Sequence, residues 1–157
     1  MSITNFILLT PLLTSTAYLQ FAFDETFFFS LFLRPAHSAQ FAKLLPSYFS
    51  AFSRPAILII ATILGLQLLA SIAAIALFEQ SFWYWTGFAL TLAHFPFAPW
   101  AAPLIGDITK MEKGTVKEED VRGKMEGFLR VHRVRSLTVN LGAWGCFGIA
   151  VVQRMAS

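Results

Sequence analysis

The segment EEDVRGKMEGFLRVHRVRSLTVN, Glu118 to Asn140, decides how this chain is read. It opens charged and closes apolar. Val121, Met125, Phe128, His132, Arg135 and Val139 recur at steps of three and four, which is one stripe of a helix. Arg122, Glu126, Arg130 and Arg133 fall mostly on the other side. The spacing predicts a helix that enters a membrane with His132 and Arg135 turned inward, its other basic residues facing water or lipid headgroups.

Composition agrees. Of 157 residues, 56% are hydrophobic and 13% charged, with a mean hydropathy of +0.62. A soluble domain of this length has too much surface to hide such a chain. The class predicted is all-α: an integral membrane four-helix bundle in one domain, residues 1–157, contacting the lipid bilayer and no nucleic acid. Cys146 is the only cysteine, which excludes an intrachain disulfide and a cysteine metal cluster. The apolar N-terminus has neither a basic leader nor a small-residue cleavage site, and reads as a retained first span.

Four spans are expected, at about 5–33, 55–78, 81–105 and 131–152, each near the 20 apolar residues that a hydrocarbon core requires. Asp24 and Glu25 interrupt the first. They read either as acids at the membrane boundary or as inward proton-handling or ion-pairing acids, with Arg34 or Arg135 as partner for Glu25. Between Pro35 and Pro55, Phe41, Leu44, Leu45, Tyr48, Phe49 and Phe52 predict a short interfacial helix that Pro46 breaks, with His37 in a solvated loop. Gly65 and nearby small residues suit close packing in the second span, where Gln67 is the main polar side chain. A Glu79–Gln80 turn leads to Trp83, Tyr84 and Trp85, an aromatic belt. The third span then carries His94 and three prolines, Pro96, Pro99 and Pro103. Broken backbone at membrane depth survives only where protein or a wet cavity covers it, so a cavity is expected near His94 and Trp100.

The connector 106–130 holds six Lys/Arg and six Asp/Glu, with a helix start at Lys117–Asp120. Gly142, Gly145 and Gly148 suggest a small-residue seam in the fourth span, and Asn140 an interhelical hydrogen bond. Eleven of the twelve Lys/Arg fall on one side of a four-span chain, Arg154 alone on the other. The positive-inside rule then puts connectors 34–54 and 106–130 in the cytosol and both termini in the lumen, in the endoplasmic reticulum or another endomembrane.

The chemistry-bearing set is His132, Arg135 and His94. Imidazole exchanges protons near neutrality, and a buried guanidinium stabilises an oxyanion. No two histidines stand at i, i+3 or i, i+4, so a metal site needs His94, His132 and a carboxylate such as Glu25 or Asp107 to converge; no metal is expected. No phosphate loop, dinucleotide fingerprint or nucleophile elbow occurs.

The order of four spans, a proline-rich third span, a polar loop and then Phe128-x-x-x-His132-x-x-Arg135 resembles the anthrone oxygenase-like family of small membrane proteins in fungi and bacteria. That family carries roughly Trp-x-x-x-Asn/His-x-x-Arg at the fourth span and a Pro-Thr-Asn-like element where this chain reads Pro103-Leu-Ile. The resemblance implies conversion of an anthrone, an aromatic polyketide, to an anthraquinone with molecular oxygen and no flavin, haem or metal. His132 or His94 would remove the methylene proton and Arg135 would hold the oxyanion. Trp100, Phe128 and Phe97 would hold the flat substrate. The alternatives are a different acid–base reaction on the same scaffold, such as a cyclisation or isomerisation, and a non-catalytic membrane scaffold or transporter subunit.

Overall fold

A computed structural model describes residues 3–34, 38–78, 82–111 and 118–156. His37, the Glu79–Gln80 turn and the start of the Lys117–Asp120 helix lie outside them in whole or part. Every described element is helical: α1 (Ile3–Phe32), α2 (Ser38–Leu77), α3 (Phe82–Leu92), α4 (Ala98–Lys110), α5 (Glu118–Arg135) and α6 (Leu141–Ala156). A 3-10 turn, Phe95–Phe97, joins α3 to α4, and a π-turn, Ser136–Asn140, joins α5 to α6. Four stretches are long and apolar enough to cross a bilayer: Ile3–Phe32, Lys43–Leu77, Phe82–Lys110 and Glu119–Ala156. Large apolar side chains such as Ile3, Leu58, Leu69, Trp100 and Val152 lie on the outside, which suits lipid and not water.

The interior is layered. One apolar cluster closes the end where α1 finishes, around Phe29, Leu45, Phe49, Ile108, Met125 and Phe128. A second closes the other end, around Leu8, Ala74, Phe78, Tyr84 and Phe147. Between them lies a polar layer of buried Ser15, Tyr18, Glu25, Gln67, His94 and His132, with Arg135 and Asn140. Polar groups at this depth, away from water, must satisfy one another.

The stripe predicted on α5 is the one that turns inward. Val121, Met125, Phe128, His132, Arg135 and Val139 are all buried, while Arg122 and Arg133 are exposed. On α1 the buried face is Ser15, Tyr18, Ala22, Glu25 and Phe29, again at steps of three and four.

Three expectations need correction. The interfacial helix is not separate from the second span: α2 runs unbroken from Ser38 to Leu77 through Pro46 and Pro55. Proline removes one helical donor and bends the helix, but its neighbours can absorb the loss. Pro46 and Pro55 leave the carbonyls of Ala42 and Ala51, four residues earlier, without their helical donors, and the helix continues through both. At about 1.5 Å per residue, so long a helix outruns the hydrocarbon core. The expected Gly142/Gly145/Gly148 seam is close only at Gly142, where a Cβ would meet Leu90 at 3.2 Å; at Gly145 it meets nothing within 4 Å and at Gly148 only Leu12 at 4.0 Å. Nor is Gly65 a close-packing point, because a Cβ there also meets nothing within 4 Å. The close approach is at Gly87, where a Cβ would lie 2.6 Å from the fully buried Phe147 ring, so α3 seats directly on α6.

Candidate active site

The third span breaks where its prolines predict. α3 ends at Leu92, His94 caps the turn, and Pro96 is the second residue of the 3-10 segment that begins at Phe95. Phe97 N then bonds to His94 O at 3.2 Å. This break lets α4 present Ala101 and Ile105 inward at a new angle.

The π-turn has an equally specific effect. In a regular α-helix, residues i and i+5 lie on different faces; a turn closed by i to i+5 bonds brings them to the same side. Arg135 and Asn140 are five apart, and both are buried, at 9% and 4% exposure. One wide turn thus directs a cation and an amide into successive levels of the interior.

His132 is held on both sides. Its Nε2 lies 2.9 Å from the Ala22 carbonyl of α1, to which it donates. Its Nδ1 is therefore the bare nitrogen, and it accepts from Arg135 Nη2 at 2.8 Å. Phe128, one turn earlier, stacks on the imidazole at 5.8 Å between centroids and 26° between planes. Glu25 reaches the same place from α1, its Oε2 3.6 Å from His132 Nδ1 and its charge within range of Arg135. Arg135 Nε is buried and donates to nothing.

These three polar groups face a cavity of about 60 Å³. Its remaining wall is Phe49, Phe52, Ser53, Ala56, Ile57 and Ile60 from α2, Ala101 and Ile105 from α4, and Phe128 from α5. An apolar recess with a few convergent polar groups has the lining of a small-molecule site, but its volume is well below the roughly 300–1,000 Å³ usual for one, so a substrate larger than a few water molecules must widen it. Ile57 is 54% exposed, so this wall reaches the outer surface of the bundle.

The sequence-predicted residues divide. His132, Arg135 and Phe128 meet at this cavity. His94 does not line it; its ring stands in a separate compartment, bonded to the Tyr18 hydroxyl at 2.9 Å. The single site expected to join both histidines is therefore two. Trp100 and Phe97 line neither cavity. Trp100 is 61% exposed and packs edge-on against Phe97, because the inward positions of that helix belong to Ala101 and Ile105.

Both ring nitrogens of His132 are engaged. With Nε2 donating and Nδ1 accepting, no lone pair is left to take a proton from a substrate. The carboxyl of Glu25 has that capacity, and His132 holds Arg135 in place. The two acids on α1 part company: Asp24 lies outside, taking a hydrogen bond from Gln20 at 3.0 Å, and Glu25 is 6% exposed. A boundary position for both, one of the two expectations, fails for Glu25. Sequence reasoning gave Tyr18 no role at all. The signal for both was the step pattern Ser15, Tyr18, Ala22, Glu25, Phe29.

The fold and site define a small all-helical protein, with four helices of membrane-crossing length, that encloses a carboxyl, an imidazole and a guanidinium around an aromatic-walled cavity. The chain is 34% identical to the epoxidase gkaX of Penicillium citrinum, over 94% of this chain and 93% of that protein. It is 28% identical to the epoxidase pydX of an Acremonium species, with the same coverage on both sides. The chain belongs to the fungal protein family that includes gkaX. No family model matches it, and no solved structure does.

Proposed function

We propose that this chain is a membrane-embedded oxygenase of fungal secondary metabolism that epoxidises an apolar, unsaturated carbonyl compound. The observation that carries the reading is buried Glu25, His132 and Arg135 facing one aromatic-walled cavity, in a chain akin to proteins named epoxidases. Glu25 takes a proton from carbon next to the substrate carbonyl, and the electron pair spreads onto the carbonyl oxygen. Arg135, held by His132, offers its unpartnered Nε–H to that oxyanion, a role whose effect is strongest in a dry site.

The carbanion gives its electrons to dioxygen, forming a C–O bond and a peroxide anion. The terminal peroxide oxygen adds to the conjugated double bond of the same substrate and the O–O bond breaks. An epoxide forms, and the alkoxide left behind recovers the proton from Glu25. Substrate plus dioxygen gives hydroxy-epoxide, with all electrons drawn from the substrate and none from a flavin, haem or metal.

A second reading shares the first steps. On an anthrone, the peroxide is protonated and loses water, giving the anthraquinone. The Phe128-x-x-x-His132-x-x-Arg135 pattern and the flat aromatic walls of Phe49, Phe52 and Phe128 favour it. The basic residues support an endomembrane placement with connectors 34–54 and 106–130 cytosolic and the termini lumenal.

The test is product analysis under isotopically labelled dioxygen, with protein in lipid nanodiscs and two probes, a conjugated polyene ketone and an anthrone. Hydroxy-epoxide carrying one labelled oxygen in the epoxide and one in the hydroxyl is the expected outcome. Quinone from the anthrone alone supports the second reading. Product from neither, in protein that is folded, overturns the oxygenase.

A further inference from the structure

Above the reaction cavity lies a second compartment that the proposed chemistry does not use. It is lined by Ser15 and Tyr18 of α1, Leu64 and Gln67 of α2, Thr91 and His94 at the end of α3, and Asn140 of the π-turn, with Val139 and Ala143 beside it. Every one of these residues is buried, none more than 9% exposed. Most of the polar groups are accounted for. Tyr18 bonds to His94, Gln67 Nε2 donates to Thr91 Oγ1 at 2.9 Å, and Thr91 in turn donates to Gly87 O at 2.8 Å. The Asn140 side chain reaches His94.

Two atoms are left over. Among the described residues, Gln67 Oε1 is an acceptor without a donor and Asn140 Nδ2 a donor without an acceptor. Their side chains are only 2% and 4% exposed and belong to opposite helices. Each such group costs about 1–3 kcal/mol if it stays unmet. The space they share is about 10 Å³. That matches roughly one water-sized probe, near the lower limit for a buried water, which also needs two or more polar partners.

We propose that this compartment is a one-water site, in which a buried water donates to Gln67 Oε1 and accepts from Asn140 Nδ2. The ligand must be both donor and acceptor and no larger than water, which excludes ions and organic molecules. The water closes a hydrogen-bonded chain running Thr91, Gln67, water, Asn140, His94, Tyr18, across four helical segments. It also gives the π-turn a second purpose: the wide turn that leaves Arg135 facing the reaction cavity delivers Asn140 to the water. The inference does not rest on the oxygenase reading, and its test involves no turnover.

The wild-type protein is crystallised in a lipidic phase and its solvent structure determined. One isolated peak within hydrogen-bonding distance of both Gln67 Oε1 and Asn140 Nδ2 is expected. An empty compartment, or amides rotated so that the two atoms find protein partners, overturns the site. A double-mutant cycle of Gln67→Met and Asn140→Leu gives an independent readout by unfolding in mixed micelles. Each single variant orphans its partner's side of the water, so the double variant should be more stable than the product of the singles by at least about fivefold in the unfolding equilibrium, within the range for residues that share a partner. Effects that simply multiply would overturn the shared water.

Discussion

Replacing Arg135 with lysine tests the arrangement of the reaction cavity with the charge kept. The guanidinium does two things that an ammonium cannot do at once. Its Nη2 donates to His132 Nδ1 at 2.8 Å, and its buried Nε, without a partner among the described residues, is the donor proposed for the oxyanion. Lysine offers a point charge on a flexible stem, without the planar fork. If it bonds to His132 it leaves the oxyanion position empty; if it reaches the oxyanion it leaves His132 Nδ1 unmet. The first loss corresponds to one oxyanion donor, about 10²- to 10³-fold in kcat. The second costs about 1–3 kcal/mol of stability. Arg133→Lys is the control, because Arg133 is exposed on the opposite face and its change should stay within about 0.5 kcal/mol. Both variants are compared with wild type in nanodiscs, as turnover per folded protein and as unfolding midpoints. Arg135→Lys with turnover near wild type and unchanged stability would refute the reasoning, since neither function of the guanidinium would then matter.

Other outcomes follow from the same geometry. Glu25→Gln keeps size and shape but removes the base, and kcat should fall by about 10²- to 10⁴-fold while binding of a product analogue, followed by fluorescence titration, is retained. Gly87→Val drives a side chain into the Phe147 ring and should cost about 1–3 kcal/mol in a micellar unfolding titration, whereas Gly145→Ala, with nothing within 4 Å, should be near neutral. Phe128→Ala removes the ring stacked on His132 and a wall of the cavity; a loss of about 3–5 kcal/mol is expected from the truncation alone. Phe128→Trp should keep much of the stacking and lose less.

The α5 stripe was legible because its polar members sit at the same three- and four-residue steps as its apolar ones. A buried His132 and Arg135 were thus placed by their neighbours Val121, Met125 and Phe128. The break at His94 was legible from the prolines around it. Glu25 was ambiguous for a physical reason: it follows Asp24, and two adjacent acids late in a span look like an interface. Only the helical phase separates them, since Asp24 and Glu25 point about 100° apart on an α-helix and one of them shares the Tyr18 face. The continuity of α2 was not legible, because Pro55 signals a start in most settings and only packing against α1, α3 and α4 shows otherwise. The π-turn leaves no mark in the sequence. It changes the phase of everything after Arg135, so which face of α6 meets α3 and α1 is not readable from an unbroken helix. Phe97 and Trp100 were assigned to a substrate by residue type, and type alone does not say which side of a helix faces in.

The most direct test of the account is dioxygen consumption by wild type and Glu25→Gln, side by side in nanodiscs, with a conjugated polyene ketone or an anthrone supplied and spontaneous oxidation subtracted. The account predicts substrate-dependent uptake by wild type and uptake at background by the variant, with His94→Gln, outside the reaction cavity, still active. Uptake by the Glu25 variant at the wild-type rate would contradict it, because proton removal at the cavity would then not be the step that opens the substrate to oxygen.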